Sequence, residues 1–92
     1  MIKLLSLGAV VKLKDMDGKV MIIGYYPEDE ISGEIYQYLT VSYPLGFHPE
    51  TKLIMIDREM IEEVLFEGYE NDLSQKYKEA ISIVMNTEIE VL

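Results

Sequence analysis

His48, in Gly46-Phe47-His48-Pro49, is the chain's one histidine and its first candidate for a general base or metal ligand. There is no cysteine and no second histidine, so a zinc set of the usual kind cannot be completed, nor is there a thiol nucleophile. A loop histidine held by turn hydrogen bonds is the expected role. Glu62, Glu63 and Glu67 invite a reading as paired carboxylates. Neighbours on a strand point to opposite faces, which separates Glu62 from Glu63 and leaves solvated edge charge. Asp57 and Glu59 with Glu28, Asp29 and Glu30 are hard-cation ligands by type, but their spacing fits no loop motif. None of the six glycines opens a phosphate loop, and no serine sits in a nucleophile elbow. These residue types point away from catalysis, cofactors and bound metal.

The more suggestive inventory is aromatic. Seven tyrosines, six methionines and no tryptophan suit protein contact. Tyr36 and Tyr38 are expected on one strand face, joined by Tyr25 or Tyr26 from the neighbouring strand, with Lys12 and Lys14 close by. Tyr25, Tyr26, Tyr36, Tyr38, Lys12 and Lys14 are therefore the candidate partner-binding residues. The competing reading is that the tyrosines line a rim with their hydroxyls in water.

Those side chains need a scaffold, and the composition supports one. Ninety-two residues with 49% apolar content make a single domain with a thin core. The formal charge is −9 and uneven: residues 1–27 carry +2 and residues 28–92 carry −11. Such an acidic surface repels phosphate backbones, which argues against nucleic acid; its expected role is to keep a small domain soluble, an acidic patch that selects a basic partner being the alternative. The apolar start, Leu4 to Val11, is broken by Ser6 and Gly8 and gives way to alternating Val and Lys, so it is expected within the fold and not as a leader. No run approaches the ~20 apolar residues of a membrane span. A cytoplasmic location is expected, with co-export beside a partner and a homo-oligomer left open.

The expected sheet covers residues 7–67. Leu7 to Lys14 alternates from Val11 onward, and Lys19 to Tyr26 reads as a central strand covered on both faces. Asp17-Gly18 between them marks a hairpin, with Gly18 supplying positive φ. Gly24 suggests a bulge. Residues 27–33 form a loop, and Glu34 to Tyr43 a third strand with Ile35, Gln37, Leu39, Val41 and Tyr43 on one side. Tyr43-Pro44-Leu45-Gly46-Phe47 opens a structured turn or short lid. Leu53 to Ile56 is a short buried strand, Asp57 an N-cap for one helical turn, and Glu62 to Phe66 a strand ended by Gly68. A helix over residues 72–85 starts at Asp72 with Gln75 in capping-box spacing and buries Leu73, Tyr77, Ala80, Ile81 and Val84 as one stripe. Residues 86–92 form a tail in which Ile89 and Val91 alternate with Glu88 and Glu90, expected either to add a short strand or to fray. The fold class is α+β: a strongly bent antiparallel sheet of about five short strands and one C-terminal helix, the sheet being either a partly open small barrel or a meander.

Four segments together resemble a known family. Leu4-Leu5-Ser6-Leu7-Gly8-Ala9-Val10-Val11-Lys12-Leu13 and Val20-Met21-Ile22-Ile23-Gly24-Tyr25-Tyr26-Pro27 are similar to the "LPLGSVV-L" and "MIIGR-P" segments of small uncharacterised domains from Gram-positive bacteria. Tyr43 to Phe47 and Ile61 to Tyr69 resemble their "YPEGY" and "I--V-F-GY" segments. Ser6 stands where that family favours Pro, and Tyr25 where it often has Arg. The family has no established catalytic residues, and its genes lie beside LXG polymorphic toxins and type VII secretion components. The resemblance implies a non-catalytic adaptor, chaperone or targeting factor whose partner is an LXG toxin effector or another secretion accessory protein. An immunity protein is the alternative, and a small-ligand binder or enzyme the second.

Overall fold

The computed structural model describes the backbone of residues 3–91 and side chains as far as Met85. Strands β1 (Val10–Leu13) and β2 (Lys19–Tyr25) form the hairpin, with Val11 opposite Val20. Alternation does its expected work on β1, where Val11 and Leu13 enter the core while Lys14 stays in water. The turn differs in one detail: Asp15 carries the positive φ of 65°, and Gly18 does not take a left-handed conformation. Asp tolerates this region better than most side chains because its short polar group bonds locally. Strand β2 is covered on one face only, contrary to the expectation: Val20 and Ile22 are buried, and Ile23 is exposed. The bulge at Gly24 is present, since the pairing to the next strand steps from Ile22–Thr40 to Gly24–Leu39 and skips Ile23.

Strand β3 is Tyr38–Tyr43, shorter than expected. Residues 28–35 instead close a loop through a Glu28–Ile35 bridge, in which Asp29 Oδ1 accepts the N–H groups of Ile31 and Ser32. The face of β3 expected to offer Tyr38 to a partner is instead buried, and Val41 on the other face is buried as well. Tyr38 (1% exposed) and Thr40 are core residues, while Tyr43 is exposed. Burying them requires partners, and both have one: the Tyr38 hydroxyl accepts the Leu5 N–H at 3.0 Å, and Thr40 Oγ1 donates to the Ile54 carbonyl at 2.9 Å.

Strand β4 (Ile54–Ile56) pairs with β3, and the short 3-10 turn Arg58–Met60 carries the chain across to β5 (Ile61–Phe66), which pairs with β1. Asp57 precedes that turn without capping it; its carboxylate accepts the Gln37 N–H instead. The strand order is β4-β3-β2-β1-β5, all antiparallel. The sheet is not closed into a barrel, and β4 and β5 are its edges. The core is built from Leu4, Ala9, Val11, Leu13, Val20, Ile22, Tyr38 and Ile56. Gly68 ends β5 with φ 81°, and a Cβ there would lie 2.7 Å from the Leu7 carbonyl oxygen. Helix α1 is Asp72–Val91, so the residues expected as a strand-like tail continue the helix as far as Val91. The fold is α+β.

Candidate functional site

The site is made by how α1 starts and which side it turns to the sheet. Asn71 Oδ1 accepts the Ser74 N–H at 2.9 Å, and Ser74 Oγ accepts the Asn71 N–H at 2.8 Å. This reciprocal cap sits one residue before the expected Asp72–Gln75 pair. It satisfies two of the backbone donors that every helix start leaves open. With ~100° of rotation per residue, Ile81, Lys78 and Ser82 share the inward side: Ile81 packs on the core, and Lys78 and Ser82 are buried. Lys78 is 6% exposed, and its ammonium donates to Ser6 Oγ at 3.1 Å and to the Glu70 carboxylate. That ammonium holds the Glu70 carboxyl below its usual range. One buried lysine therefore ties α1 to the N-terminal segment and to the β5–α1 loop.

The expected apolar stripe lies on a different side. Leu73 is 76% exposed, Tyr77 55% and Val84 53%, and Ala80 is exposed with them. Only Ile81 of the five packs on the core. The single buried stripe is thus corrected: hydrogen bonds to Lys78 fix the helix rotation and turn the apolar side outward.

A groove of about 600 Å³ runs along this side, lined by Leu7, Tyr25, Tyr69, Leu73 and Tyr77 among others. Its wall is an aromatic ladder from the core to the surface. The Tyr25 ring lies 6.2 Å from Tyr38 and 6.1 Å from Tyr77, both tilted, within the range where aromatic pairs attract. The Tyr25 hydroxyl donates to the Leu5 carbonyl at 2.5 Å. Burial, assisted by the neighbouring Tyr38, pushes its pKa up to about 12, so it remains a neutral donor. A smaller cavity of about 250 Å³ on α1 has the charged side chains Lys3, Glu70, Lys78 and Glu79, with Leu4, in its lining.

The expected partner-binding residues are dispersed. Tyr25 lines the groove. Tyr38 is inside the core and cannot touch a partner, which corrects its assignment to a surface face with Tyr36. Tyr26 packs on the core with a left-handed backbone, φ 53°. Tyr36 bonds Glu34 at 3.0 Å on the outer loop, and that carboxylate raises its pKa. Lys12 pairs with Glu62 at 2.5 Å, and Lys14 is exposed on β1's far end. Sequence reasoning missed Leu7, Tyr69 and Leu73 as groove residues. The available signal was the helical spacing of Leu73 and Tyr77, which marks an apolar side without saying whether the same chain covers it.

His48 Nδ1 accepts the Glu50 N–H at 3.1 Å, the turn role expected of it. Among the described residues no group of three His, Asp or Glu could hold a metal ion. No helix among them is long and apolar enough to cross a membrane.

The family model described as a domain of unknown function, DUF4176, matches residues 4–77. The chain belongs to the DUF4176 family. The DUF4176 match takes in the whole sheet and the first turns of α1, including every groove residue named above. No curated protein and no solved structure is significantly similar to the chain.

Proposed function

We propose that this DUF4176 protein is a non-catalytic accessory factor of type VII secretion, an adaptor, chaperone or targeting factor that binds an LXG toxin effector in the cytoplasm. The observation that carries the binding part is the open apolar side of α1. Leu73 and Tyr77 stand in water in one groove with Leu7 and Tyr69, Val84 is exposed farther along α1, and exposed apolar residues gathered in this way mark interaction sites. The secretion part rests on the resemblance of the four sequence segments to domains encoded beside LXG toxins.

Co-expression with the separated export and toxic domains of the neighbouring LXG effector tests the reading. Capture of the export domain supports the accessory role. Capture of the toxic domain alone replaces it with an immunity role. Capture of neither removes both.

A further inference from the structure

We infer that the groove beside α1 receives an amphipathic helix of the partner, apolar along one side and carrying Lys or Arg at the end that lies over Glu67 and Asp72. This inference rests on the protein-binding reading and adds the form and charge of what is bound.

The shape argument comes from spacing. Leu73, Tyr77, Ala80 and Val84 follow one another at intervals of four, three and four, the a/d pattern by which one helix packs along another. They span about 16 Å at 1.5 Å per residue, three turns of facing helix; Leu73 and Tyr77 line the groove, and Ala80 and Val84 continue the exposed side beyond it. Small Ala80 between larger neighbours leaves room for a knob from the incoming helix. Tyr69 and Leu7 form the opposite bank.

A strand would have to dock on a sheet edge, and the β5 edge is poorly suited to it. The β1–β5 register steps past both Leu65 and Glu62, and such bulges interrupt the regular ladder that strand addition needs.

The charge argument selects the partner. Between Glu67 and Glu79 lie four carboxylates and two lysines, and Lys78 is already committed to Glu70. Glu67 and Asp72 form no ion pair among the described residues; Glu67 is two positions before the groove-lining Tyr69, and Asp72 lies between the groove-lining Asn71 and Leu73. A basic end meets them favourably and can also lie across the exposed Tyr69 face. A second copy of this chain, carrying −9, is repelled by the same field.

The probe is a capped 18-residue peptide with Leu at a and d and Lys at e and g, compared with the same peptide carrying Glu for Lys. Fluorescence anisotropy and circular dichroism are measured in 150 mM salt. The Lys peptide is expected to gain helicity on binding, and to bind at least tenfold more tightly than the Glu peptide. L73S/Y77S and E67K/D72K should each weaken it at least tenfold, while I31S, on the far loop, leaves it unchanged. No binding, binding without helix formation, or undiminished binding by L73S/Y77S overturns the inference. So does a concentration-dependent dimer of the wild type that L73S/Y77S abolishes, because a second copy then fills the groove. The two readings fail separately. If the effector's export domain binds L73S/Y77S as well as wild type, the groove is dismissed and the accessory role stands. If no effector domain binds, the accessory role falls while the peptide result still decides the groove.

Discussion

The β1–β2 hairpin and helix α1 both present apolar residues at the spacing of their secondary structure, yet they spend them in opposite ways. On the hairpin, Val11, Leu13, Val20 and Ile22 go inward, and polar residues such as Lys14 and Lys19 stay out. On α1 the buried positions are Lys78 and Ser82, and the exposed ones include Leu73, Tyr77 and Val84. The hairpin is held by burial, a non-directional force that grows with apolar area. The helix is held by a directed ion pair, by Ser6 and by Ile81, so its rotation is set by bond geometry. The difference separates two tasks: the sheet supplies the stability, and the helix keeps an apolar side available.

Replacing Tyr38 by Ala tests the sheet's half of this contrast most severely. The change empties a ring-sized space in the core and leaves the Leu5 N–H without its acceptor. A loss of about 3–5 kcal/mol is expected for such large-to-small changes, read from the midpoint of urea unfolding. A loss below 1 kcal/mol would mean that Tyr38 is not a core residue. Gly68→Ala comes next. Its φ of 81° disfavours any side chain, and the added methyl meets the Leu7 carbonyl oxygen at 2.7 Å. About 2 kcal/mol is expected from backbone strain of this kind, measured the same way, with the groove-lining Leu7 and Tyr69 displaced together.

Much of the sheet was legible in the sequence because its cause is local. Val11/Lys12/Leu13/Lys14 alternates, Asp17-Gly18 interrupts two apolar runs, and Gly24 breaks the second; each feature produces its element. The burial of Tyr38 and Thr40 on β3 was not legible, because a Tyr and a Thr look like surface residues until their partners are known. Leu5 N–H and the Ile54 carbonyl, 33 and 14 residues away, are what make Tyr38 and Thr40 core residues. The groove was hidden for the same reason. Periodicity locates the apolar side of α1, but Lys78, Ser6 and Glu70 decide where that side points, and they are scattered over 72 positions. Lys78 itself reads from sequence as an ordinary solvated lysine.

The helix half of the comparison is tested by pH. Glu70 titrates lower in the folded protein than when free, because Lys78 hydrogen-bonds its carboxylate. A depressed folded pKa contributes stability that is present above the ordinary carboxylate range and lost as pH falls through the folded value. The protection factors of α1 amides, taken relative to the intrinsic exchange rate at each pH, should therefore fall as the solution is taken below about pH 4, the reference range for Glu, with those of β2 and β3 unaffected at first. Lys78→Met should show fast α1 exchange already at neutral pH and no acid dependence from this pair. Uniform loss of protection across sheet and helix would contradict the division of labour.

The smallest effect is the most telling. Leu73→Ser and Val84→Ser remove large apolar side chains from a helix, a change that in a covered stripe would lower stability by about 2 kcal/mol or more each. On this exposed side each should shift stability by no more than about 0.5 kcal/mol, measured by urea unfolding of the isolated chain. The same two variants should lose partner binding in the co-expression experiment. A near-neutral effect on folding together with a large effect on binding is the combination that an apolar side kept for another molecule must give. If Leu73→Ser unfolds the isolated chain as readily as Tyr38→Ala, the stripe is core after all, and the contrast between hairpin and helix disappears.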